Sequence, residues 1–179
     1  MASTKQTVFL TGKLSWAKVL GEPRLNYGGD GKEWTFELEP DENSLAKYVK
    51  LGLADRIKGK GFNIGTKGQF ADRTPFLQLK KSELASDGSP NTPIRVYNAE
   101  NEPWDQKTLI GNGSAGDVKL DVRDYGVGKK MGVYPVAIRV TNHVSFQSEE
   151  FGGMDDDDSG AKPAKRAPKS TELDDEVPF

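Results

Sequence analysis

The sequence predicts a mainly β fold: a small closed barrel of about five strands, one inserted helix, and an acidic C-terminal tail without fixed structure. Three observations predict it. Apolar and polar residues alternate with a period of two through much of the body. Twenty glycines and ten prolines supply the turns that short strands need. After position 153 the apolar residues give way to charge, proline and alanine.

The first strand is expected over 6–20, with Val8, Leu10, Leu14 and Trp16 on one side and Phe9, Thr11, Lys13 and Ser15 on the other. Gly12 is predicted to mark a bulge or bend. A turn-rich stretch through Tyr27-Gly28-Gly29 leads to a strand over 32–39 that sets Trp34, Phe36 and Leu38 on one face. Polar residues 41–44 then cap a helix carrying Leu45, Tyr48, Val49, Leu51 and Leu53, ending near 59–61. Residues 59–75 read as a loop with Lys60, Lys67, Arg73, Phe62 and Phe70. Short strands follow at 76–81 and 94–97, then a glycine-rich turn at 111–116, a strand over 118–122 and a last one over 134–146. Closing such a sheet removes its exposed edges, and the OB-fold is a small barrel of this kind that binds oligonucleotides. An immunoglobulin-like sandwich would use about seven strands and no such helix.

Cysteine is absent, which excludes disulfides, zinc fingers and thiol catalysis. No stretch approaches the roughly 20 apolar residues of a membrane span, and the first residues lack the apolar core of a secretory signal. A soluble, cytoplasmic protein is the expectation. The net charge of −2 hides a strong polarity. Residues 154–179 hold eight acids and four bases, whereas residues 43–81 hold nine bases and two acids.

On the polar faces of three predicted strands an aromatic stands beside a base: Phe76 with Lys80, Tyr97 with Arg95, and Tyr125 with Arg123. Single-stranded nucleic acid calls for this pairing, because ring faces stack on bases and cations neutralise phosphates. Lys13, Lys32, Trp34 and Trp104 complete the candidate set, Trp104 from a loop. Trp16 and Trp34 sit on apolar faces and read as core as readily as stacking residues.

The chain divides into a nucleic-acid-binding body, 1–153, and a tail, 154–179. Low hydrophobicity and dense charge predict that the tail is disordered. Its tip, Asp174-Asp175-Glu176-Val177-Pro178-Phe179, places a ring and the chain carboxylate behind an acidic run. A basic-rimmed apolar pocket on a partner could take that combination. The same anionic tail could lie across a basic groove and compete with DNA.

Other signals carry less. Gly111-Asn112-Gly113-Ser114-Ala115-Gly116 matches a dinucleotide-binding pattern, but a strand rather than a helix follows it. His143 is the only histidine, so a catalytic triad or zinc site built on it has no second ligand. No cofactor or metal is expected. The enzymatic alternative is a metal-dependent nuclease using Asp117, Asp121 and Asp124, although alternation splits Asp124 from the other two. A third possibility is a β-rich protein-interaction module or DNA mimic.

Four features, in order, resemble the single-stranded-DNA-binding proteins of the bacteriophage T7 type. They are Phe-Leu-Thr-Gly-Lys-Leu-Ser at 9–15; the Tyr27-Gly28-Gly29 turn before Trp34-Thr-Phe-Glu-Leu38 and a helix; Ile110-Gly111-Asn112-Gly113-Ser114 before a strand reaching Tyr125; and a long last strand with an acidic tail ending in Phe179. The tip also resembles that of bacterial single-stranded-DNA-binding proteins. The resemblance implies an OB-fold, largely sequence-independent binding of single-stranded DNA, and no enzymatic activity. It implies roles in phage DNA replication, recombination and repair within the infected bacterial cell. It places DNA-contacting bases at Lys80, Lys81 and near Lys32, with an aromatic at Tyr125. Replication proteins such as polymerase and primase-helicase, and a homodimer, are the partners it implies. This tail is shorter and less acidic than the T7 one, and its basic linker differs.

Overall fold

Val8, Leu10 and Leu14 are buried while Thr7, Phe9 and Lys13 meet solvent, so Thr4–Lys18 runs as one long strand, β1, with a clean inner face. The computed structural model describes residues 3–62 and 69–146. A two-residue strand β2 (Arg24–Leu25) pairs with β3 (Lys32–Pro40), whose Trp34, Phe36 and Leu38 point inward. Helix α1 (Glu42–Lys50) follows and is capped from both ends of the physics. The Asp41 carboxylate accepts from the Ser44 backbone N–H at 2.8 Å, and Lys47 and Lys50 meet the negative end of the helix dipole. Ser44 Oγ accepts from the Thr11 backbone N–H at 2.8 Å, which seats the helix on β1.

The helix ends earlier than the sequence predicts. Leu51 is its C-cap, Gly52 takes φ +84°, and Leu53 and Ile57 reach the core around a short 3₁₀ turn at Ala54–Arg56. Gly52 in the left-handed region stops the α-helix although apolar residues continue beyond it, at Leu53 and Ile57.

Strands β4 (Leu77–Ser82), β5 (Arg95–Tyr97), β6 (Ser114–Asp124) and β7 (Gly132–Asn142) complete the sheet. The hydrogen-bonded order is β2-β3-β1-β6-β7-β5, with β4 on the far side of β3. Five long strands thus carry the barrel, and β2 and β5 are short additions at its edges. Its core is one cluster in which Leu10, Leu14, Phe36, Leu38, Leu120 and Ile138 are almost wholly buried, each contributing roughly 1.5–3 kcal/mol. The glycine-rich turn at 111–116 is followed by strand, and β6 starts within it, at Ser114. The last strand begins and ends earlier than alternation suggests, at Gly132 and Asn142.

Two details of β1 depart from expectation. Gly12 is not a bulge: it pairs regularly with Pro40 and Gly116. A methyl there would lie 2.1 Å from the Glu39 carbonyl oxygen, so glycine is needed for close strand approach. The irregularity falls between Ser15 and Lys18 against β3, where Trp16 adopts φ +51°. That slip turns the Trp16 ring from the inner to the outer face, leaving it 48% exposed.

Among the described residues no helix is long and apolar enough to cross a membrane. The boundary expected at 153/154 and the whole of 154–179 lie outside the described residues, as do 63–68 with Lys67.

Candidate nucleic-acid interface

β4 and β7 face each other without sharing a ladder, so the barrel has an open seam. A groove of about 840 Å³ runs along it. From β4 it receives Lys80 and Lys81, from the end of β6 Arg123, and from the following residues Tyr125. From the connection after α1 come Arg56 and Lys58, and from β7 Tyr134. Five bases and two acids, Asp55 and Asp121, line it.

Several of these side chains are held in place. The Tyr125 and Tyr134 hydroxyls lie 2.8 Å apart, and the Arg123 guanidinium stands 5.5 Å from the Tyr134 ring centre. The bond to Tyr125, helped by burial, keeps the Tyr134 phenol above its ordinary value. Arg56 donates to the Met131 carbonyl. Tyr48 lies at the floor, where burial pushes its phenol up to about 12 and keeps it neutral. Lys58 Nζ reaches Gln78 at 2.5 Å, and Lys80 Nζ lies 3.6 Å from Glu33. Lys81 shares the inner side of the sheet with its register partner Trp34. Burial, with Arg95 nearby, pulls its ammonium below the usual lysine value. Phosphate oxygens would restore what that cation lacks.

A second groove, of about 410 Å³, lies on the other side of β4 and shares Gln78, Leu79 and Lys80 with the first. Trp16 and Lys18 reach it from β1, and Arg24 and Tyr27 from the β2–β3 hairpin. Glu33 and Glu37 are its acids; Glu33 faces Lys80, and Glu37 is held by Arg73 at 2.6 Å.

The structure therefore brings Lys80, Lys81, Arg123 and Tyr125 together at the seam. Lys13, Lys32, Arg95, Tyr97 and Trp104 line neither groove. Trp104 is half-buried against the core, its Nε1–H donating to the Thr108 carbonyl at 2.8 Å and its ring edge-on to His143, so it is no open platform.

Two candidates are corrected. Trp34 is 4% exposed, and its Nε1–H donates to the Gly21 carbonyl at 3.1 Å: it is core and anchors the loop after β1. Phe76 has the outward parity the alternation gave it, yet it is fully buried. The Arg73 guanidinium covers its face at 3.6 Å and Phe70 meets it edge-on at 5.2 Å. Parity in a strand tells which side a ring takes, not whether a loop then covers it.

Besides the predicted Tyr125, the aromatics that reach solvent near β4 are Tyr134, Tyr27 and Trp16, which are not in the predicted set. Tyr27 was legible as an aromatic inside a glycine turn; Trp16 was hidden by the bulge.

The acids proposed for a nuclease do not converge. Asp117 and Asp121 both point outward on β6, four residues apart, which in a strand is about 13 Å. Asp117 accepts from Arg139 and Thr11, Asp121 from Lys5 and Thr7, and Asp124 from the Gly126 backbone. Among the described residues no three acids, histidines or cysteines are grouped to hold a metal.

No protein-family model and no curated protein matches the sequence. Solved structures do share the fold. The single-stranded DNA-binding protein from bacteriophage Enc34, in complex with ssDNA, aligns with TM-score 0.53 at 12% identity, covering 80% of this chain and 89% of that one. Its C-terminal truncation aligns with TM-score 0.50 at 11% identity, covering 79% and 87%. The crystal structure of gp2.5, a single-stranded DNA binding protein encoded by bacteriophage T7, aligns over 90% of this chain and 100% of that one at 11% identity, with TM-score 0.48. The two Enc34 alignments show a shared fold, a curled, mainly β sheet.

Proposed function

We propose that this chain is a non-enzymatic, largely sequence-independent binder of single-stranded DNA that seats the strand along the β4–β7 seam. One observation carries the reading: five bases and two accessible tyrosines converge on one groove beside β4. Cations there neutralise phosphates while ring faces stack on unpaired bases. A paired duplex hides those faces, so the site favours single strands. In an OB-fold, oligonucleotides are bound by the face of the second and third barrel strands and the loops beside them. Here those strands are β3 and β4, and Tyr125 belongs to the adjoining loop before β7. That a protein of this fold has been captured with ssDNA supports the same reading.

Protection of exposed strands during phage replication, recombination and repair follows from such binding. Recruitment of replication proteins is assigned to Asp174, Asp175, Glu176, Val177, Pro178 and Phe179.

The test is a titration of labelled oligo-dT and of a matched duplex, followed by anisotropy at two salt concentrations. Tighter binding to the single strand, weakening steeply with salt, is expected. Equal affinity for both forms, or none at low ionic strength, sinks the proposal.

A further inference from the structure

The second groove holds a side chain that neither folding nor the seam accounts for. Strand alternation would bury Trp16 beside Leu14. The slip between Ser15 and Lys18 instead turns it outward, with φ +51°, a backbone region that bulky residues rarely occupy. Its ring is left 48% exposed.

The strained segment is braced from the 111–116 turn. Asn112 Oδ1 accepts from the Trp16 backbone N–H at 2.7 Å, and the Gly113 N–H donates to the Leu14 carbonyl at 2.8 Å. Tyr27, fully exposed in the same groove, is presented by a turn that Asn26 builds. The Asn26 side chain accepts from the Gly29 N–H at 2.7 Å and donates to Asp30 at 2.9 Å. Lys18 and Arg24 stand beside the rings and have no ion pair among the described residues. Both acids of the groove already face other bases, Lys80 and Arg73.

We infer that Trp16, with Tyr27, Lys18 and Arg24, forms a second stacking subsite for unpaired nucleobases, which extends the nucleotide path across β4 from the seam. The inference rests on the function proposed above and names a residue set outside it. Backbone strain held at a surface ring is the pattern of a functional position. Ring faces beside cations fit a single-stranded polynucleotide of any sequence. Lys80, common to both grooves, gives the backbone a phosphate contact at the crossing.

The test uses the full chain and a long oligo-dT, with anisotropy for affinity and tryptophan emission for contact. Trp16→Ala is expected to weaken binding roughly 5- to 150-fold, the range of one base–aromatic stack. Trp16→Phe keeps a ring, so it retains most of the affinity while losing most of the DNA-induced emission change. Trp16→Ala binding as tightly as the parent overturns the subsite alone. So does a full emission change in Trp16→Phe, which applies even if the alanine variant does not fold. Failure of the parent itself to bind overturns both this site and the function on which it rests.

Discussion

A bulky side chain held at positive φ costs about 1–3 kcal/mol, and Trp16 carries that cost with its ring half exposed to solvent. Relief of the strain should therefore outweigh the packing lost when the ring is removed. Trp16→Gly is expected to stabilise the protein by about 1 kcal/mol, which raises Tm by about 2–4 °C for a domain of this size. A thermal melt followed by circular dichroism reads the shift. A fall in Tm of that size would mean that the ring is structural after all. The same variant should lose oligo-dT affinity, so stability and binding move in opposite directions. Trp34 is the contrasting residue: buried and hydrogen-bonded to Gly21, it is kept by folding alone.

At the level of strands, the outer faces of β1, β6 and β7 are joined by a ladder of side chains. Asp117 accepts from Thr11 at 2.8 Å and from Arg139 Nε at 3.0 Å; Asp121 accepts from Thr7 at 2.9 Å and lies 3.0 Å from Lys5 Nζ. Burial raises both carboxyls, but these partners outweigh it and hold both below the ordinary carboxylate value. A folded value below the unfolded one contributes stability above the unfolded value and loses it as pH falls through the folded one. Asp117→Asn and Asp121→Asn should each cost about 1 kcal/mol near neutral pH, after allowance for solvent screening. The difference from the parent should shrink as pH falls below the ordinary Asp value of about 3.9 and through the lower folded one. Urea unfolding at the two pH values measures it, and a penalty unchanged in acid would show that the charge is not responsible.

Much of this level was legible beforehand. Alternation alone gave the inner faces of β3 and β6, because Trp34, Phe36, Leu38, Val118, Leu120 and Val122 each follow the two-residue period. What escaped was set by long-range neighbours. Trp16 turns outward because of a register slip against β3, and Phe76 disappears under Arg73 and Phe70. Lys80 and Arg123 meet at the seam only because β4 and β7 approach without pairing. No local pattern encodes any of the three.

For the molecule as a whole, the balance of charge bears on the proposed binding of a polyanion by a chain of net charge −2. Residues 154–179 carry four more acids than bases, and the groove along the seam carries three more bases than acids. DNA and tail are anions of the same kind, so each would be drawn to those cations. Deleting 154–179 should tighten binding to oligo-dT, most at low salt and little at high salt, because screening weakens the competitor too. Each base that neutralises a phosphate contributes about −0.7 to the slope of log affinity against log salt for a single strand. Lys80→Ala should then flatten that slope by about 0.7 in both the full and the tail-deleted chains, since the proposed site has Lys80 meet the strand and not the tail. Removal of an aromatic such as Trp16 should weaken binding with the slope unchanged. Anisotropy titrations across a salt series separate the two behaviours. If tail deletion left affinity unaltered at every salt concentration, the acidic end would serve partner docking alone and the groove would face DNA without an internal rival.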